Sequence, residues 1–74
     1  MAVLDIKAET PGTVWEIVAR PGDDLAAGDE ILVIESMKME IPVGAAKPGR
    51  LIDILVAQGD DVAEGQTVAR IDVL

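Results

Sequence analysis

Pro11 to Glu35 reads PGTVWEIVARPGDDLAAGDEILVIE, and Pro48 to Asp72 reads PGRLIDILVAQGDDVAEGQTVARID. The two stretches align without a gap at an offset of 37 residues, and nine of the 25 positions are identical. The identities include Pro11/Pro48, Gly12/Gly49, Gly22/Gly59, Asp23/Asp60, Asp24/Asp61 and Gly28/Gly65. Other positions exchange like for like, such as Val14/Leu51, Glu16/Asp53, Leu25/Val62 and Ile31/Val68. A weaker match continues upstream and pairs Leu4 with Ile41, Ile6 with Val43 and Ala8 with Ala45. The 74 residues therefore read as one domain, 1–74, made of two half-repeats, 2–35 and 39–72. A solenoid needs roughly three or more repeats. Two copies point instead to a closed body with a pseudo-two-fold axis.

Each copy reads as β. Val3 to Lys7, Thr13 to Val18, Ile31 to Ile34, Leu51 to Val56 and Thr67 to Val73 are rich in branched residues. Between them, Pro21-Gly22-Asp23-Asp24 and Gly59-Asp60-Asp61 carry turn chemistry, and Gly28 and Gly65 mark a second turn in each copy. No stretch between Gly and Pro is long enough for a stable helix. Short strands with close turns predict a small sandwich or barrel. The core is expected at Val14/Leu51, Ile17/Ile54, Leu25/Val62, Ile31/Val68 and Ile34/Ile71. The step from 14 to 17 breaks strict alternation and predicts a bulge. Trp15, whose counterpart is Ile52, is expected on the surface or capping one end.

Composition narrows the function. Cys and His are absent, so neither a disulfide nor a thiolate or imidazole metal site is available. The Gly-Asp-Asp turns have a turn role, and no metal is expected there. The formal charge is −8, and the six basic residues are scattered. Nucleic-acid binding needs clustered Lys and Arg, so it is not expected. No apolar run reaches membrane-helix length and no secretory leader is evident, which suggests a cytoplasmic protein. Ser36 and Thr67 have no evident base partner, so no catalytic residues are expected.

What lies between the two copies is Ser36-Met37-Lys38, within Ile34 to Ile41, IESMKMEI. In a pseudo-symmetric body this junction is equivalent to the gap between the chain ends. Lys38 is thus expected on a tight connection at one end, with both termini near the other. A solvated lysine there is ordinary. Two methionines beside it are not, because methionine usually fills cores.

The ESMKME stretch, set inside this repeat, resembles the attachment motif of the biotinyl/lipoyl domain family, in particular small free-standing biotin carriers. The resemblance covers nearly the whole chain. It implies an all-β fold, a flattened β-barrel (barrel-sandwich hybrid) of two four-stranded sheets, with the modified lysine on an exposed hairpin. It makes Lys38 the site of covalent biotin attachment and Met37 and Met39 its flanking recognition residues, with Glu35, Ser36 and Glu40 forming the turn. Ser36 stands where alanine is usual, a mild change. The halves align without a gap, so the "thumb" insertion of some acetyl-CoA carboxylase carriers is absent.

The implied activity is that of a biotin carboxyl carrier, not an enzyme in itself. Biotin protein ligase would activate biotin as an adenylate for attack by the lysine. Biotin carboxylase would then load CO2 from carboxyphosphate, and a carboxyltransferase would pass it on, in an acyl-CoA carboxylase such as acetyl-CoA carboxylase. Two alternatives stand beside this. A lipoyl carrier has the same fold, but lipoyl domains usually present an Asp-Lys-Ala turn. A non-carrier interaction module would leave Lys38 unmodified.

Overall fold

The computed structural model describes residues 2–73. Eight strands follow in order: β1 (Ala2–Lys7), β2 (Gly12–Ile17), β3 (Asp24–Leu25), β4 (Glu30–Ser36), β5 (Met39–Gly44), β6 (Gly49–Ile54), β7 (Asp61–Val62) and β8 (Thr67–Val73). They form two four-stranded antiparallel sheets, ordered β1-β8-β6-β3 and β5-β4-β2-β7. The all-β, two-sheet expectation holds. Each half contributes strands to both sheets, and the register repeats between them. Leu4 pairs with Ile71 as Ile41 pairs with Ile34, and Leu51 pairs with Ile71 as Val14 pairs with Ile34.

Inward-facing branched residues fill the space between the sheets. Val14, Ile31, Leu32, Ile34, Leu51, Val68 and Ile71 are all but fully buried. Leu25 and Val62 are buried as expected, and Ile17 and Ile54 pack partly buried against the same cluster. With branched side chains on one face of each short strand, the pleat alone brings these residues together. No helix among the described residues is long and apolar enough to cross a membrane.

The expected bulge lies in both copies. The register shifts between Val14 and Glu16 and between Leu51 and Asp53, so Trp15 and Ile52 are the inserted residues. The turns differ from their sequence reading in one respect. Asp24 and Asp61, which look like turn residues, lie in the two-residue strands β3 and β7, where they pair with Arg50 and Thr13. These strands exist only because each is laid against the other half.

The remaining turns share one device. Asp23, Asp29 and Asp60 each donate a backbone N–H to the carbonyl three residues earlier and accept that same residue's N–H on Oδ2, at 2.9 Å. Gln66 does the same toward Ala63 with its Oε1. The glycine before each has a positive φ, between 82° and 96°, which suits a type II turn. All four of these turns tie the halves together through the glycine N–H. Gly22 N–H donates to the Leu51 carbonyl at 2.7 Å, and Gly59 N–H donates to the Val14 carbonyl at 2.8 Å. Gly28 N–H donates to the Ala45 carbonyl at 2.8 Å, and Gly65 N–H donates to the Ala8 carbonyl at 2.7 Å.

The body is elongated, 35 × 18 × 17 Å. Ala2 pairs with Val73, so the described chain ends lie side by side. The symmetry-equivalent pair is Ser36 and Met39. From Met39, β5 runs away from that junction and leads through residues 45–48 to Gly49, which pairs with Val73. The junction and the chain ends therefore occupy opposite ends of the long axis.

Candidate functional site

Strands β4 and β5 stay paired through Glu35↔Glu40 and Ser36↔Met39, which leaves Met37 and Lys38 as a two-residue loop. Such a loop joins right-handedly twisted strands best when both of its residues have positive φ, the type I′ pattern. Met37 has φ 52° and Lys38 has φ 63°, and among the described residues these are the only non-glycine positive values. The usual occupants are Asn-Gly. A residue with a Cβ costs about 1–2 kcal/mol in the left-handed region. Backbone strain is thus confined to the two residues at the centre of the motif, a placement common at functional sites.

A prediction follows directly. Asparagine tolerates the left-handed region, and Met37 is 92% exposed, so its side chain has little packing to lose. Met37→Asn is expected to stabilise the domain by about 0.5–1 kcal/mol, read as a rise in the urea midpoint at unchanged slope. A lower midpoint would show that Met37 is held by contacts and not merely tolerated.

The structure brings together every residue singled out in the motif. Lys38 is exposed at the tip, between Met37 and Met39, the latter 64% exposed. Glu35 and Glu40 face each other across the hairpin and both are exposed, while Ser36 is half-buried. Two carboxylates directly opposite each other repel. Among the described residues neither is neutralised by an ion pair, and Lys38 has no carboxylate partner within ion-pair distance.

Sequence reading missed the base of this hairpin. Thr13 pairs with Glu35 on one side and with Asp61 on the other, and its Oγ1 donates to Asp61 Oδ1 at 3.1 Å. This places Glu40, Glu35, Thr13 and Asp61 in one row across the sheet beneath the tip. The signal was present in the offset, which pairs Thr13 with Arg50 and Asp61 with Asp24. It becomes informative only once β7 is known to lie beside β2.

The exposed amine suits covalent attachment of biotin through an amide, because the tip is open and the lysine is not tied down. Among the described residues there is no group of three or more His, Cys, Asp or Glu able to hold a metal. A two-sheet body of two like halves that offers a lysine on a strained hairpin has the form of a domain that presents this side chain to other proteins.

The particular family is shown by comparison. A family model described as "Biotin-requiring enzyme" matches residues 4–71, and the chain belongs to that biotin/lipoyl family. "Biotinylated protein TB7.3" of Mycobacterium tuberculosis is 49% identical over 39 residues, 53% of this chain and 55% of that protein. The chain thus spans about half the length of the curated relatives that it matches first. Among solved structures, the Kluyveromyces lactis urea carboxylase superposes with a TM-score of 0.93 at 40% identity, over 97% of this chain and 6% of that one. A single-chain, multi-domain long-chain acyl-CoA carboxylase superposes with a TM-score of 0.91 at 30% identity, over 97% of this chain and 7% of that one. The chain is a biotin carrier domain of the kind found in biotin-dependent carboxylases, and is itself non-catalytic.

Proposed function

We propose that Lys38 is the residue that bears biotin, and that the domain carries carboxyl groups between a biotin carboxylase and a carboxyltransferase. The observation that carries this reading is the exposed lysine, with no ion-pair partner among the described residues, on a two-residue loop with both φ angles positive. In the attachment step the neutral Lys38 amine attacks the acyl carbon of biotinyl adenylate. A C–N bond forms, the acyl–phosphate bond breaks, AMP leaves, and the amine proton passes to the ligase or to water. Deprotonating the attacking amine is the work of the ligase. The carrier's own contribution is presentation.

Biotin then supplies a ureido nitrogen able to take up and release a carboxyl group. What this chain adds is reach and access. The tip lies at one end of a 35 Å body, clear of the sheets, so it can enter an active site while the barrel stays outside. Met37 and Met39 are flexible, polarizable side chains suited to contact with more than one partner, here a biotin protein ligase and two enzyme active sites. Glu35, Ser36 and Glu40 hold the base of the turn. The enzyme served is an acyl-CoA carboxylase such as acetyl-CoA carboxylase, acting in the cytoplasm. Supporting this are the likeness to an acyl-CoA carboxylase domain and the lack of cysteine.

The test is co-expression with a biotin ligase and, separately, with a lipoate ligase, followed by intact mass and peptide mapping. One biotinyl group located on Lys38 is expected. A lipoyl group with no biotin would move the domain to the other cofactor of its family. No adduct with either ligase would leave a plain interaction module.

A further inference from the structure

The two halves repeat their backbone but not their outer faces. On the sheet β1-β8-β6-β3, the bulge presents Ile52 and Asp53 opposite Arg70. Arg70 lies 3.6 Å from Asp53 and 3.7 Å from Asp5. In the neighbouring row, Arg50 sits between Asp72 and Asp24 and bonds Asp24 Oδ1 at 3.0 Å. That face answers its own charges.

On the sheet that carries the hairpin, every one of those cations is replaced. Val33 stands in the place of Arg70, flanked by Pro42 and Glu16 where the other face has Asp5 and Asp53. Thr13 stands in the place of Arg50. The bulge now presents Trp15 and Glu16 together opposite Val33. Trp15, the only aromatic residue of the chain, is 51% exposed. Glu16, Glu35, Glu40 and Asp61 have no cation within ion-pair distance among the described residues.

We infer that the outer face of β5-β4-β2 is a docking surface for a basic protein surface with an apolar recess that receives Trp15, and that this surface belongs to the enzyme that carboxylates the biotin. The charge pattern selects the occupant. A second copy of this chain, with its charge of −8, would set carboxylates against carboxylates, and an anionic membrane would be repelled in the same way. An enzyme whose co-substrates are ATP and bicarbonate holds these anions with Lys and Arg, and a basic surface at its active site complements the carboxylates of this face. The face is built on β4 and β5, the two strands that end in the Lys38 hairpin, so docking here delivers the tip. Forming the amide on Lys38 removes a positive charge at the tip and leaves the loaded carrier the more acidic form. Tryptophan anchors of this kind dominate the energetics of the interfaces that contain them.

This inference rests on the carrier reading, and the experiment separates the two. Wild-type carrier, shown by intact mass to be biotinylated on Lys38, is used as substrate for the purified biotin carboxylase of the same organism with ATP and bicarbonate. Trp15→Ala is expected to raise KM for the carrier about 30-fold while kcat stays within about twofold. Trp15→Ile, which copies the other half, keeps the fold and raises KM nearly as far. Ile52→Ala on the opposite face leaves both constants unchanged, and Glu16→Gln flattens the dependence of KM on salt. Fluorotryptophan at position 15 gives a single fluorine NMR signal, which is expected to shift when the carboxylase is added. A normal KM for Trp15→Ala, or an equal loss for Ile52→Ala, overturns the docking face and leaves the carrier reading intact. A wild-type dimer that Trp15→Ala dissolves would assign the face to a second copy and also overturn it. A wild-type chain that takes no biotin, or takes it and is not carboxylated, overturns both.

Discussion

Lys38→Arg is expected to stay at its unmodified mass under conditions that fully biotinylate the wild type, and to abolish carboxyl transfer outright. Arginine keeps the charge and the length, and it meets the same steric demand at a φ of 63°. What it removes is nucleophilicity, because a guanidinium does not give up its proton in this pH range. The residue is exposed and has no ion-pair partner among the described residues, so stability should change by no more than about 0.5 kcal/mol. The other lysines are poor substitutes. Lys7 lies in β1 beside a register shift and pairs with Thr67, and Lys47 lies in the 45–48 connection just before Pro48. Neither occupies a two-residue hairpin. Biotin retained on the variant and mapped to Lys47 or Lys7 would show that access alone directs the ligase. Loss of biotin together with a lowered thermal midpoint would leave Lys38 without its assigned role.

The fold was legible because burial and repetition coincide. Val14/Leu51, Ile31/Val68 and Ile34/Ile71 could be matched from sequence at a fixed offset, and all six are all but fully buried. Even the bulge could be read, since two apolar residues three apart cannot share a face of a regular strand. Strands β3 and β7 could not be read this way. Asp24 and Asp61 have poor strand propensity, and they become strand residues only through partners 26 and 48 positions away, Arg50 and Thr13. The left-handed turn was hidden for a similar reason. Nothing in Met37 or Lys38 favours positive φ. The requirement comes from Ser36 and Met39 being paired, which leaves the loop two residues and no alternative geometry. Trp15, whose lack of an aromatic counterpart points to the surface or to a cap at one end, is half exposed, and its aim is clear only from the register opposite Val33.

The divergence of the two outer faces matters for the same reason. A repeat under no constraint but folding needs the same inward residues in both halves, and these are kept. Outer residues are free to differ, so the loss of both arginine positions from the hairpin-bearing sheet has no origin in packing. Arg50 also shows what the other face gains. The Asp24 carboxylate that it bonds raises the guanidinium pKa above its already high ordinary value. The pair is exposed, so its benefit lies in holding β3 in register against β6 more than in stability.

Gly12→Ala is expected to cost about 3 kcal/mol, a large part of the roughly 4–11 kcal/mol that a domain of this length has in total. A Cβ at Gly12 would lie 2.5 Å from the Glu35 carbonyl oxygen and 2.6 Å from Ile34 Cγ2. The carbonyl is backbone and is fixed by the β2–β4 pairing, so it cannot swing aside as a side chain would. Gly49 is its counterpart, where a Cβ meets the Asp72 carbonyl oxygen and Ile71 Cγ1. Gly22 makes the contrast. Its φ is 96°, but no atom lies within 4 Å of the added carbon. Gly22→Ala should therefore cost only the backbone term, about 1–2 kcal/mol. Urea midpoints of the three variants give the ranking. The two clashing glycines also separate folding from function, because they lie at opposite ends of the long axis. Glu35 leads directly through Ser36 and Met37 to Lys38, so displacing its carbonyl shifts the base of the hairpin. At a temperature where both variants are folded, Gly12→Ala should be biotinylated several-fold more slowly than Gly49→Ala. Equal rates would mean that the loop geometry is set by Met37 and Lys38 alone and that the ligase does not sense the strands beneath it. Mild losses at both positions would mean that the strand pairing yields, and with it the claim that close backbone approach is what requires glycine here.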